Sequence, residues 1–320
     1  VGEEYLKIRR QTNFLLGVIV LAVAGVYLLR ALGVIPDGVY DLLLRAAPAL
    51  LVLFGLATFL RARIPLGSLV ALILSVALVG GVAYAAFTNR AAQQRTDLQQ
   101  EIAQALPPGL TLLRVRLQTL ATDVDIVRAA EGTFAVNGRF VGSTESRISA
   151  ELIDGGDTTA TFNLVEDRPS DFPLLEAIGR GALRLELPAG VALDVEFRGE
   201  QGAATLNMDG MALERLNVDV FSGDVVVTLP SYDPLGTPPN ENLGTLAARD
   251  GRITLVVPAD VGGRFELNRA GSGIRPTYDD TYLYLDGDIL EARTIESAVV
   301  VIQYAVTAPR GLITLQVRDG

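Results

Sequence analysis

Residues 223–230 read GDVVVTLP, and residues 251–258 read GRITLVVP. Residues 181–188 (GALRLELP) follow the same rule, and residues 311–318 (GLITLQVR) follow it without the final proline. Each copy starts at glycine and then places three aliphatic side chains at alternate positions: Val225, Val227 and Leu229 in one, Ile253, Leu255 and Val257 in the next. Successive side chains of a strand point to opposite faces, so this alternation predicts strands with one apolar face. Glycine permits a sharp turn before each strand. Proline, with no N–H to give to a ladder, ends it. One such strand cannot bury its apolar face alone. Stacked copies can, as rungs of a β-solenoid or layers of a β-sandwich. The copies begin at positions 181, 223, 251 and 311, with spacings of 42, 28 and 60, which predicts rungs joined by loops of unequal length. The turn and strand at 188–197 (PAGVALDVEF) repeat at 258–267 (PADVGGRFEL), an offset of 70. Residues 231–245 (SYDPLGTPPNENLGT) are predicted to form the longest loop.

Outward from these copies, period-two patterning begins at Leu110 and recurs at 124–127, 133–136, 159–164, 216–220, 282–285 and 298–306. Residues 109–320 are therefore expected to form a β-rich repeat domain, with one short helix at 171–179. Residues 88–108 read as a helical stalk or linker: Leu98, Ile102 and Leu106 recur at i, i+4 and i+8, and Pro107-Pro108-Gly109 ends the segment.

The N-terminal third is different. After a basic segment, 1–12, residues 13–87 contain three long apolar runs, at about 14–35, 42–60 and 64–87, each near the 20 residues a spanning helix needs. The fold class expected from the sequence is thus membrane α plus all-β: a three-helix N-terminal transmembrane bundle followed by a β-solenoid-like or β-sandwich domain. Ala77, Gly81 and Ala85 form a small-residue ladder suited to helix packing. Lys7, Arg9, Arg10, Arg61 and Arg63 would share one side and Arg30, Arg45, Arg90 and Arg95 the other. That bias predicts a cytoplasmic membrane location, with the N-terminus inside and the β domain extracytoplasmic.

Composition narrows the chemistry. The 320 residues include no Cys, no His and a single lysine, Lys7. Thiolate metal sites, Cys nucleophiles and Ser-His-Asp triads are excluded. Residues 1–95 carry a net charge of +5 and the remainder −15, giving the overall −10. An acidic domain disfavours nucleic acid as a partner. Carboxylates are the remaining catalytic candidates, in the pairs Asp123/Asp125, Asp154/Asp157, Asp279/Asp280 and Asp286/Asp288. Two carboxylates flanking a glycosidic bond would make a polysaccharide-acting enzyme. The same Asp-Gly spacing is ordinary turn chemistry, so no catalytic, cofactor-binding or metal residue is assigned and the chain is expected not to be an enzyme. Tyr278, Tyr282 and Tyr284, beside an Asp pair, would line a carbohydrate- or peptide-binding face or pack across strands.

The stretches LNVDVFSGDVVVTLP (216–230) and ARDGRITLVVPADVGGRFELNRAGSGI (248–274) resemble the repeats of adhesin-like bacterial β-solenoid domains. They are also similar to the C-terminal domain of LiaF-like cell-wall stress-response membrane proteins. The resemblance spans roughly 180–320 and carries no catalytic residues. It implies a non-enzymatic membrane protein that presents its β domain for envelope scaffolding, adhesion or stress sensing. The partners it implies are the lipid bilayer and an envelope protein or cell-wall component.

Overall fold

The computed structural model describes Gly81 and residues 92–318, apart from 157, 169–178, 236–240 and 269–274. Strands follow one another along the chain: β1 (Leu98–Ala105), β2 (Leu112–Arg128), β3 (Ala135–Gly142), β4 (Arg147–Asp154), β5 (Thr159–Asp167) and β6 (Gly181–Leu187). Next come β7 (Ala192–Gln201), β8 (Ala204–Asn207), β9 (Leu213–Ser222), β10 (Val225–Thr228), β11 (Thr245–Asp250) and β12 (Ile253–Pro258). The last are β13 (Val261–Asn268), β14 (Thr277–Tyr278), β15 (Leu283–Asp286), β16 (Ile289–Ala292), β17 (Val300–Thr307) and β18 (Ile313–Arg318).

Pairing sorts them into two sheets. The front sheet runs β4–β5–β2–β7–β9–β11–β17–β13–β16–β15. The back sheet runs β1–β3–β6–β2–β8–β10–β12–β18–β14. Neighbours from β5 to β13 and from β6 to β14 are all parallel. Strand β2 belongs to both sheets: Leu112–Gln118 pairs with β5, and Thr122–Arg128 with β6. Elsewhere a front strand turns a corner and continues as a back strand, as β7 into β8, β9 into β10, β11 into β12 and β17 into β18.

The four glycine-led copies are β6, β10, β12 and β18, all in the back sheet. Their glycines mark the corner. A Cβ on Gly223 would fall on the carbonyl oxygen of Gly202; one on Gly251 would meet that of Gly223, and one on Gly311 that of Gly251. Successive rungs thus approach too closely for any other residue, and Gly202 (φ 130°) and Gly223 (φ 153°) also adopt backbone angles that disfavour side chains. Gly202 heads a copy that the sequence pattern hid, with Ala204, Leu206 and Met208 facing inward. It lies midway between Gly181 and Gly223, so the spacing of 42 is two laps of 21. The spacing of 60 has another origin. After β12 the chain builds β13–β16 further along the stack, then returns so that β17 and β18 fill the slot beside β11 and β12.

Between the sheets, inward residues stack rung upon rung. Val227 lies in register with Leu206 and Leu255, and Leu255 with Leu315; all are buried. Each such side chain contributes about 1.5–3 kcal/mol. Antiparallel strands cover one end of both sheets, β4 on the front and the pair β1–β3 on the back, and the β15–β16 hairpin covers the other end of the front sheet. Where β2 crosses between sheets, its ladder is interrupted. The Glu166 carboxylate, 3% exposed, replaces the missing partners by accepting from the Leu120 N–H (2.7 Å), the Ala121 N–H (3.1 Å) and the Ser146 hydroxyl (2.9 Å).

Two expectations are corrected. The mixed fold class, membrane α plus all-β, gives way to all β among the described residues, where no helix is long and apolar enough to cross a membrane. The three runs at 14–35, 42–60 and 64–87 lie outside the described residues, Gly81 excepted, as do the short helix expected over 171–179, Gly179 excepted, and the centre of the long loop. The helical stalk over 88–108 is also replaced: Leu98–Ala105 is strand β1, antiparallel to β3. Leu98 and Ile102 are an even number of positions apart, so they share a face of a strand as readily as a face of a helix.

Candidate functional site

On the front sheet, inward positions are apolar apart from Thr119 and Glu166, and every second residue points outward. On β2, β7 and β9 the outward residues align as Arg114–Asp194–Arg215, Arg116–Glu196–Asn217 and Gln118–Arg198–Asp219. Phe221 lies two positions beyond Asp219, and on β11 the register sets Arg249 beside it. This face therefore alternates in charge across the strands. Arg198 pairs with Glu196 at 2.6 Å, Arg116 reaches Glu196 at 3.7 Å, and Arg249 pairs with Asp219 at 3.1 Å. The Arg249 guanidinium also stands 6.0 Å from the Phe221 ring centre, within cation–π range, and Phe221 is 57% exposed.

Two adjoining recesses open on this face. One, of about 570 Å³, is lined by Gln118, Arg198, Glu200, Phe221 and Arg249 among others. The second, of about 610 Å³, shares Arg198, Asp219 and Arg249 and extends over Asn217, Thr245 and Thr307. Gly199 forms part of the first recess, where a larger residue would crowd Phe197 and Thr119. Asp219 is only half satisfied: Oδ2 meets Arg249, whereas Oδ1 is shielded from solvent and has no hydrogen-bond partner. At one edge, burial between the strands raises the pKa of Asp194 from its ordinary value, against the pull of Arg215 and Arg114.

The carboxylate pairs picked from the sequence do not gather here. Asp123 sits at the back-sheet corner, accepting from the Ala203 N–H (2.9 Å), with Arg180 at 3.6 Å. Asp125 pairs with Arg184 at 2.8 Å. Asp154 accepts from the Gly156 N–H in a turn, and its sequence neighbour Asp157 lies outside the described residues. Asp279 closes a turn on the Thr281 N–H, and Asp280 offers its carbonyl to Arg293. Asp286 and Asp288 flank Gly287 (φ 60°) in the β15–β16 hairpin. Among the described residues, no group of three or more acidic side chains could hold a metal ion. Of the three tyrosines, Tyr278 packs against the core, while Tyr282 and Tyr284 are partly exposed on or next to β15, with Arg293 over Tyr284 at 5.8 Å.

Phe221, Arg249, Arg198 and Asp219 went unnoticed in the sequence. The legible signal was Phe221 itself. In LNVDVFSG the inward positions are Leu216, Val218 and Val220, which leaves a large aromatic on the outward phase, where a sheet normally shows polar residues.

No family model matches this chain, and membership of the LiaF-like group is not established. A fold-level likeness is established. The chain is similar to a crystal structure of a candidate cell adhesion protein from Clostridium sporogenes, with a TM-score of 0.57 and 14% identity, covering 69% of this chain and 100% of that one. The likeness concerns fold alone.

Proposed function

We propose that this chain is a non-enzymatic adhesion or scaffolding protein of the bacterial cell envelope, its β domain facing out of the cytoplasm. The observation that carries this reading is the front face itself, with open recesses, aligned charged side chains and an exposed aromatic. Such a surface suits broad contact with a macromolecule better than enclosure of a small substrate. The recess carboxylates Glu196 and Asp219 are engaged by arginines, which suits recognition better than proton transfer. The fold neighbour described as a candidate cell adhesion protein adds support. The partner is an envelope protein or cell-wall component.

Retention assays test this. Beads coated with the full chain should hold bacterial cells or envelope fragments, and the double variant R198E/R249E should hold markedly fewer. Equal retention by both, or none by the wild type, overturns the reading. Location is testable because the chain has no native Cys. Val299, 93% exposed, changed to Cys should react with a membrane-impermeant thiol reagent in intact cells. Reaction only after lysis refutes the outward orientation.

A further inference from the structure

We propose that the trough formed by the two front-sheet recesses binds a neutral glycan. This rests on the adhesion reading above and specifies its ligand.

Four observations converge. First, the recesses present groups that read hydroxyls. Arg198 and Arg249 offer N–H donors, Gln118 and Asn217 both donate and accept, and the Glu196, Glu200 and Asp219 carboxylates accept. Second, the ligand must bring a flat apolar face. Phe221 lies open in the first recess, and Arg249 links it to Asp219 by pairing with that carboxylate and overhanging the ring. A pyranose ring offers both features at once: a C–H face that packs on an aromatic, and a rim of hydroxyls that donate and accept. Third, the charges nearly cancel. Arg198 and Arg249 face Glu196, Glu200 and Asp219 across the two recesses, which disfavours a polyanion or a polycation. Fourth, β7, β9 and β11 are interior strands whose backbone groups are spent on neighbours on both sides. An extended peptide cannot add to the sheet there, so recognition must run through side chains alone. A sugar polymer meets that condition.

The recesses adjoin through Arg198, Asp219 and Arg249, and along β9 the lining runs from Phe221 past Asp219 to Asn217. At about 3.3 Å per residue that is about 13 Å, longer than one sugar ring. The ligand is therefore an oligomer and not a monosaccharide.

Titration of the full chain with cellotetraose, chitotetraose and a neutral cell-wall polysaccharide decides the matter, with polyglutamate and polylysine as charged controls. Saturable binding of at least one neutral glycan is expected, weakened about tenfold by F221A and by D219A. The back-face variant T254A should bind like the wild type, and unchanged circular dichroism will confirm that each variant is folded. The proposal is overturned if the wild type binds none of the neutral glycans, if F221A and D219A bind them as the wild type does, or if only the charged polymers bind. Bead retention separates the two levels of inference. Retention that persists without glycan binding leaves an adhesive protein with a different ligand, whereas loss of retention removes the adhesion reading as well.

Discussion

The front and back sheets share strand register, spacing and corner glycines, yet their outer faces differ. Across β8, β10, β12, β18 and β14 the back sheet shows Thr205, Val226, Thr254, Thr314 and Thr277 in one row. Asn207, Thr228, Val256 and Gln316 form the next. From β8 to β14 neither row holds a charge; the charges of the first row lie further on, at Asp125 on β2 and Arg184 on β6, which pair at 2.8 Å. On the front sheet the rows across β2, β7 and β9 carry Arg114, Asp194, Arg215, Arg116, Glu196, Arg198 and Asp219, and on β11 and β17 they continue as Thr245, Ala247, Ala305 and Thr307. Both faces meet the same folding demand, because only inward positions must be apolar for the stack to close. Outward positions are free to vary, and their divergence separates what folding requires from what surface contact selects. The back rows from β8 onward are mostly β-branched, whereas the front rows carry the paired charges and the unpaired Asp219 oxygen.

The comparison breaks most completely where both sheets depend on one element. Gly251→Ala would drive a methyl into the Gly223 carbonyl and force the rungs apart at the shared corner. A loss of about 3 kcal/mol or more is expected, visible as collapse of the denaturant midpoint. An unchanged midpoint would show that the corner has slack.

Glu166→Ala comes next, because it strands two backbone N–H groups where β2 leaves one sheet for the other. It should lower stability by about 2–4 kcal/mol. Glu166→Gln retains an acceptor oxygen and should lose about half as much. Equal losses for the two variants would assign the effect to charge instead of to backbone capping.

Smaller changes sharpen the contrast between the faces. Arg249→Ala and Thr254→Ala should each alter stability by less than about 1 kcal/mol, since both side chains point outward. Bead retention should respond to the first and ignore the second. A response to Thr254→Ala alone would move the contact surface to the back sheet.

The smallest effect is in titration. The Arg252 backbone N–H and guanidinium hold the Asp224 carboxyl below its ordinary range at the corner, while burial raises Asp194 on the front face. Asp224 therefore contributes stability above its unfolded-state pKa, and loses it as pH falls through the folded value. Asp194 has the opposite sign: its contribution is present below its unfolded-state pKa and disappears as pH rises through the higher folded value. Carboxyl NMR titration should place Asp224 below the usual value near 3.8 and Asp194 above it. Coincident titration of the two would remove the distinction.

The difference between what was legible and what was not follows from the range of each interaction. Period-two alternation and glycine are local, so the strands, their inward faces and the four corner glycines at 181, 223, 251 and 311 could be read from the chain alone. Even local signals failed where two periods coincide. Leu98 and Ile102 fit a helix stripe and a strand face alike, and only the antiparallel pairing of β1 with β3 selected the strand. The copy at Gly202 escaped because Ala204 and Met208 hold the inward positions usually taken by branched aliphatics.

By itself, then, the sequence determined that this part of the protein is built of repeated, one-sided strands turned at glycine, because steric and hydrophobic preferences act within a few residues. Tertiary structure alone decided the rest. It seated β2 between later rungs, brought β17 and β18 back beside β11 and β12, and used Glu166 from β5 to complete a corner of β2. It also set Arg249 against Asp219 and Phe221, 30 and 28 positions earlier in the chain. Strand order and register fix such contacts, and both depend on how the whole stack buries its apolar face, a property that no local window contains.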